Sequence, residues 1–248
     1  MAVMEPIAEI TGAAKSFGPN RVLDGCDLVL EPGVVHGLVG PGGSGKTLLL
    51  KVLTTLMDLD EGTLRLFGVT VDHADREGLR ALRGRIGMQF QNLALFDFLN
   101  VFDNIAFPLV MSSDPPPAEE LDQRVHHALK EVGLPDAAAL HLSELSGGMQ
   151  RRVALARAAI SGAELLVFDD PTGGLDPVFS SRIFALVGEL MERTGATVVV
   201  TSHDVDRMAR VCGRFHVMDR GKVIYSGGLS EGIESSDERV RTFLTVEA

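Results

Sequence analysis

Gly40-Pro41-Gly42-Gly43-Ser44-Gly45-Lys46-Thr47 stands between Val34-Val35-His36-Gly37-Leu38-Val39, an apolar run of strand length, and Thr47-Leu48-Leu49-Leu50-Lys51-Val52-Leu53, an apolar stripe of helical composition. The glycines let the backbone turn its N–H groups inward where a side chain would clash. The helix that follows offers unpaired N–H groups and the positive end of its dipole. A strand, a glycine turn and a helix in this order form a cradle for phosphate. Lys46 would bring a point charge to the β and γ phosphates, and Thr47 a hydroxyl to Mg2+.

More of the chain fits a sheet built around that unit. Leu165-Leu166-Val167-Phe168 and Thr197-Val198-Val199-Val200-Thr201 are apolar runs of buried-strand length, and 179–192 between them is helical in pattern. Strand, helix, strand predicts a parallel sheet with a crossover, hence an α/β fold. The first of these runs ends in Asp169-Asp170. Carboxylates at the C-terminal edge of a parallel sheet stand beside the ligand crevice. Asp169 is expected to hold Mg2+ and Asp170 to face an attacking water. His216-Val217-Met218 and Lys222-Val223-Ile224-Tyr225, around Asp219-Arg220-Gly221, predict a hairpin.

Between Met88 and Ile160 strand signals fade and helical ones take over, with a break at Pro115-Pro116-Pro117 and a helical stretch from Ala118 to Val132. His126 and His127 are adjacent there and share no helix face, which favours surface histidines over a metal site. Near the end, Val240, Phe243 and Leu244 have i, i+3, i+4 spacing. That amphipathic turn either packs on its own body or meets a second copy.

Composition excludes several classes. The 248 residues are 45% hydrophobic, which is a globular balance and not a disordered one. The net charge of −11, with no block of Lys or Arg, argues against a broad nucleic-acid surface. Cys26 and Cys212 are far apart and suit ordinary buried thiols in a reducing compartment. No apolar run reaches the roughly 18 residues that span a bilayer, and MAVMEPIAEI lacks the charge and apolar core of a signal peptide. A cytosolic chain that reaches a membrane through a partner is expected.

Leu145-Ser146-Gly147-Gly148-Met149-Gln150 opens a further helix, 151–160. Its serine and glycines make a second anion-binding helix start. One ATP does not need two such ends, so this one is expected to cap the nucleotide of another subunit. With these residues the sequence resembles the ATP-binding cassette (ABC) ATPases along nearly its whole length. Leu145–Gln150 resembles the signature motif and Phe17 the aromatic that stacks on adenine; an aromatic near a strand end can also serve the core. Gln91 resembles the glutamine that contacts Mg2+ and senses the helical subdomain. Gly173-Gly174-Leu175-Asp176 resembles the loop that crosses the dimer seam, and His203 the histidine that hydrogen-bonds the γ-phosphate.

The resemblance implies a P-loop NTPase (RecA-like) core with a parallel sheet, an N-terminal antiparallel β subdomain and an inserted α-helical subdomain. Core and β subdomain would take 1–87 and 161–230, the helical subdomain 88–160, and the C-terminal tail 231–248. It implies ATP and Mg2+ as ligands, with Gly40 through Thr47, Phe17, Gln91, Ser146, Gly147, Gly148 and Asp176 contacting nucleotide and Thr47, Gln91 and Asp169 near the metal. Asp170, Lys46 and His203 would carry the chemistry, in a head-to-tail dimer of two copies with ATP between them. The family usually has Glu where this chain has Asp170. The shorter side chain implies slow hydrolysis, or a site that only binds.

Val101-Phe102-Asp103-Asn104-Ile105-Ala106-Phe107-Pro108-Leu109 and the segment 237–244 resemble the ATPases of mammalian-cell-entry (MCE)-linked lipid transporters. That implies phospholipid movement between bacterial membranes, with a permease and an MCE-type lipid-binding protein as partners at the cytoplasmic face of the inner membrane. The stretch 91–109 would form the groove for a permease coupling helix. A polar-solute importer ATPase and a non-transport ABC ATPase for DNA repair or ribosome work are the other readings. A long coiled-coil insertion or a tandem second cassette would favour the last, and neither is present.

Overall fold

The computed structural model describes residues 5–245. Strands β1 (Ala8–Phe17) and β2 (Asn20–Leu30) pair antiparallel and are joined by β4 (Glu61–Leu66) and the short β5 (Val69–Thr70) in the order β2-β1-β4-β5. The second sheet has the order β10-β9-β3-β8-β7-β6, from β3 (Val35–Val39), β6 (Ile86–Gln89), β7 (Leu165–Asp169), β8 (Thr197–Thr201), β9 (Arg214–Asp219) and β10 (Lys222–Gly227). All its pairings are parallel except the β9–β10 hairpin. Arg220 and Gly221 turn that hairpin at φ 46° and 77°, the left-handed pair that matches strand twist.

Every residue of β3, β7 and β8 is buried, because both faces of this sheet are covered. Leu165 and Val167 join one apolar core with Leu38 and helix α1 (Lys46–Leu53), beneath the antiparallel sheet. Leu166 and Phe168 point the other way, into a core with Ile183, Phe184 and Val187 of helix α6 (Pro177–Thr194). A one-residue slip of β7 would exchange the two sets, so the register is held from both sides.

Helix α2 (Arg76–Gly84) precedes β6. Helices α3 (Val101–Val110), α4 (Ala118–Glu131) and α5 (Gly147–Ala159) form an arm with its own core of Val101, Ile105, Val125, Leu129 and Val153. The chain closes with α7 (Val205–Met208), α8 (Leu229–Ile233) and α9 (Glu238–Leu244). Val240 and Leu244 of α9 are buried in the core beneath α6, so the tail packs on its own body.

Strand β6 runs across the expected boundary at 87/88, where no strand was legible. Gly87 breaks its apolar alternation because α5 lies directly on it: a Cβ there would stand 1.9 Å from the Ala158 carbonyl oxygen. Helix α5 starts at Gly147, four residues before the expected 151, because Ser146 caps it and carries two glycines into the first turn. Helix α6 also starts earlier, with Pro177 as its first residue behind the Asp176 cap. His126 and His127 are exposed beside Asp122 and Glu131 on their own helix. Both cysteines are free thiols.

Candidate functional site

The glycine turn leaves β3 at the point where the sheet order reverses, between β8 and β9, which is where such sheets bind ligands. Gly40 has φ 145°, and a Cβ on it would come within 2.0 Å of the Met218 carbonyl oxygen. Gly45, at φ 106°, caps α1 with its backbone alone. Pro41 is half-buried; Gly42, Gly43 and Thr47 are exposed around the turn. Lys46 Nζ donates to the carbonyls of Gly40 and Pro41, 2.9 Å each, so the ammonium rests inside its own loop. Burial pulls the Lys46 pKa below its usual value, against the opposing pull of Asp169 and Asp170. Ser44 Oγ is buried and has no hydrogen-bond partner among the described residues.

Across from the turn, β7 ends in Asp169, which is buried and accepts from Thr201 Oγ1 at 2.8 Å. The same Thr201 oxygen accepts from the Asp170 N–H at 2.9 Å. Asp170 lies in the left-handed region, φ 47°, which turns the chain sharply out of the strand. Burial raises the Asp170 pKa, assisted by Asp169 and opposed by His203, Arg151 and Lys46. His203 is exposed just past β8, and its neighbour Ser202 bonds Thr172 Oγ1 at 3.2 Å. A cleft of about 680 Å3 is lined by Gly40, Asp170, Gly173, Gly174, Ser202 and His203.

Ser146 Oγ accepts from Met149 N at 3.3 Å, and Asp176 Oδ1 from Val178 N and Phe179 N at 2.9 and 3.1 Å. The two caps are neighbours: a Cβ on Gly148 would stand 3.7 Å from the Phe179 ring and 3.9 Å from Leu175. Ser146, Gly147, Gly148 and Asp176 do not line the cleft that holds Asp170 and His203. Phe17 is 50% exposed at the end of β1 and belongs to none of the cores. Gln91 is exposed two residues past β6, whose Gln89 is in register with Phe168, so Gln91 emerges at the sheet edge of Asp169 and Asp170.

Three side chains here carried no sequence signal of their role. Thr201 couples both aspartates. Arg151 on α5 donates to the Gly173 carbonyl, beside Asp170. Arg157 donates to the carbonyls of Leu93 and Ala94. Thr201 reads as one more strand residue, and the two arginines read as solvent-facing charges of a helix.

The residues fit a nucleotide with its metal. The loop has no room for a Cβ at Gly40, holds an ammonium against carbonyls and contains an unpartnered buried hydroxyl. The donors nearby, Thr47 and Asp169, are the oxygen type that Mg2+ takes.

Residues 23–173 match the ABC transporter family. The chain is 35% identical to the intermembrane phospholipid transport system ATP-binding protein MlaF of Haemophilus influenzae, over 98% of this chain and 91% of that protein. It is 38% identical to the methionine import ATP-binding protein MetN of Xanthomonas oryzae pv. oryzae over 83% of this chain, and spans 61% of that relative's length. Among solved structures it superposes on the bacterial ABC transporter cassette MJ0796 in a dimeric form, with TM-score 0.82 and 29% identity over 89% of this chain and 98% of the other. It also superposes on CbiO1 of Clostridium perfringens, part of the transporter complex CbiONQ, with TM-score 0.83 and 28% identity over 96% and 94% of the two chains.

Proposed function

The chain belongs to the ABC transporter family, and on that premise we propose that it is the ATP-hydrolysing motor subunit of a transporter that moves phospholipid between bacterial membranes. The observation that carries the motor reading is the gathering of Asp170 and His203 at one cleft with Gly40 of the phosphate loop, within reach of the Lys46 charge, while Ser146 and Gly148 stand outside it. A turn built to bind anions but placed away from its own phosphate loop needs a second copy. Two copies close head-to-tail, and the Ser146 cap of one meets the γ-phosphate held by Lys46 of the other.

Gly40 through Thr47 hold the phosphates, and Phe17 offers an exposed ring to the adenine. Thr47, Asp169 and Gln91 would hold Mg2+, which when bound supplies charge neutralisation at the β and γ oxygens. Thr201 fixes the Asp169 carboxylate. Asp170 orients the attacking water and takes its proton; burial, which raises its pKa, makes it a better acceptor. Lys46 and His203 stabilise charge on the transferring phosphoryl group. Hydrolysis removes the shared γ-phosphate, and the dimer opens.

A groove of about 1120 Å3 between α2 and the end of α3, lined by Arg76, Arg80, Pro108 and Met111, offers a seat for a permease helix. Met111 in its lining is exposed, as are Phe98, Phe107 and Val110 elsewhere in this part of the chain. No described helix is long and apolar enough to cross a membrane. Binding through the permease would place the chain at the cytoplasmic face of the inner membrane.

Phospholipid as cargo, with an MCE-type lipid binder as a further partner, is supported by the similarity to MlaF along nearly both full lengths. The similarity to MetN supports a second reading, import of a polar solute. Purification from detergent-solubilised native membranes, with mass spectrometry of the co-purifying proteins, separates them. A multi-span permease with an MCE-type protein supports phospholipid transport. A permease with a solute-binding protein replaces it with import, and the absence of any membrane partner overturns both.

A further inference from the structure

Between β6 and α3 the chain forms a loop, 90–100, that carries Gln91. Leu93 and Ala94 in this loop have φ 63° and 48°, two consecutive non-glycine residues in the left-handed region. Each sets its Cβ against its own backbone, so neither holds that geometry unaided. Both carbonyls meet one side chain: Arg157 Nη2 donates to Leu93 O at 2.6 Å and Nη1 to Ala94 O at 2.7 Å.

Arg157 is 8% exposed, on α5, among Val153, Ala154, Ala156 and Ala158. Among the described residues it forms no salt bridge. A guanidinium stays charged in a protein, and burying one without a carboxylate is unfavourable unless other oxygens replace water. Here the replacing oxygens are those two carbonyls, and the guanidinium lies 6.0 Å from the Phe96 ring. An aliphatic residue would suit the position better if packing were its only task. From the other side, the fully buried Asn104 of α3 accepts from Phe96 N and donates to the carbonyls of Phe96, Leu99 and Asn100. Both clamps come from the helical arm, and α5 is the helix that Ser146 caps.

We propose that Arg157 is a positioning residue: its fork holds Leu93 and Ala94 in their left-handed turn, and so sets Gln91 at the sheet edge beside Asp169 and Asp170. Arg157 lies about three helical turns from Ser146 on the same rod. A displacement of the signature turn is therefore passed to the Gln91 loop as a rigid movement. This rests on the nucleotide-binding reading of Gln91.

The test uses the full chain, ATP and Mg2+. Arg157→Lys keeps the charge and loses the fork. Its kcat should fall about tenfold, and the Mg2+ that half-saturates the chain with a non-hydrolysable ATP analogue, titrated by calorimetry without turnover, should rise by a similar factor, as expected when a metal-contacting group moves by a fraction of an ångström to 1 Å. The KM for ATP should change less than about twofold. In a Gln91→Ala background the same substitution should have no further effect, because both act through one group. Leu93→Gly with Ala94→Gly should restore activity to Arg157→Lys, since glycine takes the turn without a Cβ. Ala94→Val, at an exposed position that spares the core, should reproduce the Mg2+ shift even where Arg157 variants do not fold. Losses that add to Gln91→Ala, no rescue by glycine, or a normal Mg2+ requirement in Ala94→Val would overturn the assignment. A wild-type chain that does not hydrolyse ATP would instead overturn the motor reading itself.

Discussion

Asp170 is where a single side chain sets the rate of the proposed reaction. The family resemblance implies Glu there, about 1.5 Å longer. In this chain the carboxylate lies down against Gly173, where a Cβ would stand 2.5 Å from Asp170 Oδ2. The carboxylate thus rests against its own loop. Asp170→Glu should raise kcat about tenfold, within the hundredfold that a misplacement near 1 Å can cost. Steady-state phosphate release measures it, and a clear fall would refute the idea. Lys46 has a simpler expectation. Its ammonium is already desolvated and held by two carbonyls that it can exchange for phosphate oxygens. Lys46→Ala should weaken ATP binding at least tenfold by calorimetry, given that a charge-assisted hydrogen bond contributes about 1.5–3 kcal/mol. Unchanged affinity would remove Lys46 from the site. Both positions were legible in the sequence because each lies in a short local pattern. Thr201 and Arg151 were not, because only the folded chain brings β8 and α5 to Asp170 and Gly173.

Elements followed the same division. Strands β3, β7 and β8 are continuous apolar runs, since a parallel strand covered on both faces has no polar side to alternate. The β9–β10 turn was legible from Arg220-Gly221, a left-handed pair that needs its glycine. Strand β6 was hidden. Gly87 and Gln89 both face away from the first core, Gly87 because α5 leaves no space for a side chain, and Gln89 as a buried amide whose Oε1 has no partner among the described residues. The arm meets the core sheet across this contact, so it should tolerate little. In Gly87→Val the added carbons press on the Ala158 carbonyl, a backbone group that no rotamer change can move. Overpacking of that kind costs about 1–3 kcal/mol. Urea unfolding should show the midpoint lowered accordingly, with Gly87→Ala between the variant and wild type. An unchanged midpoint would mean that α5 does not rest on β6.

On the scale of the whole molecule, a polar chain that none of the site residues share runs from the residue after β2 across β3, β9 and β10 of the second sheet. His36 on β3 and His216 on β9 stack with ring centroids 5.2 Å apart and bond through Nδ1 and Nε2 at 2.9 Å. The Glu31 carbonyl after β2 takes His36 Nε2 at 3.0 Å, and Ser226 of β10 meets His216 Nδ1 at 2.8 Å. A carbonyl only accepts, so His36 carries its proton on Nε2. His216 then donates through Nε2 to His36, and the serine hydroxyl donates to His216. In this arrangement every ring nitrogen is used and both rings are neutral. Burial lowers both pKa values, that of His216 to about 3; Arg214 nearby disfavours a further positive charge, while Glu31, paired with Arg214, favours one on His36. The ordinary value for an unfolded histidine is 6.5. Below it the unfolded chain takes up protons that the folded chain refuses, so stability is full above pH 6.5 and declines as the pH falls from there toward 3. At pH 5.5 each histidine that stays neutral removes about 1.4 kcal/mol relative to pH 7.5. Urea unfolding at the two pH values should therefore show a loss of at least that figure, carried by His216, and His216→Gln should remove about that much of it. Equal stability at both pH values would mean that the pair accepts a proton without disturbing the β3–β9 pairing, with His216 turning its Nδ1–H onto Ser226.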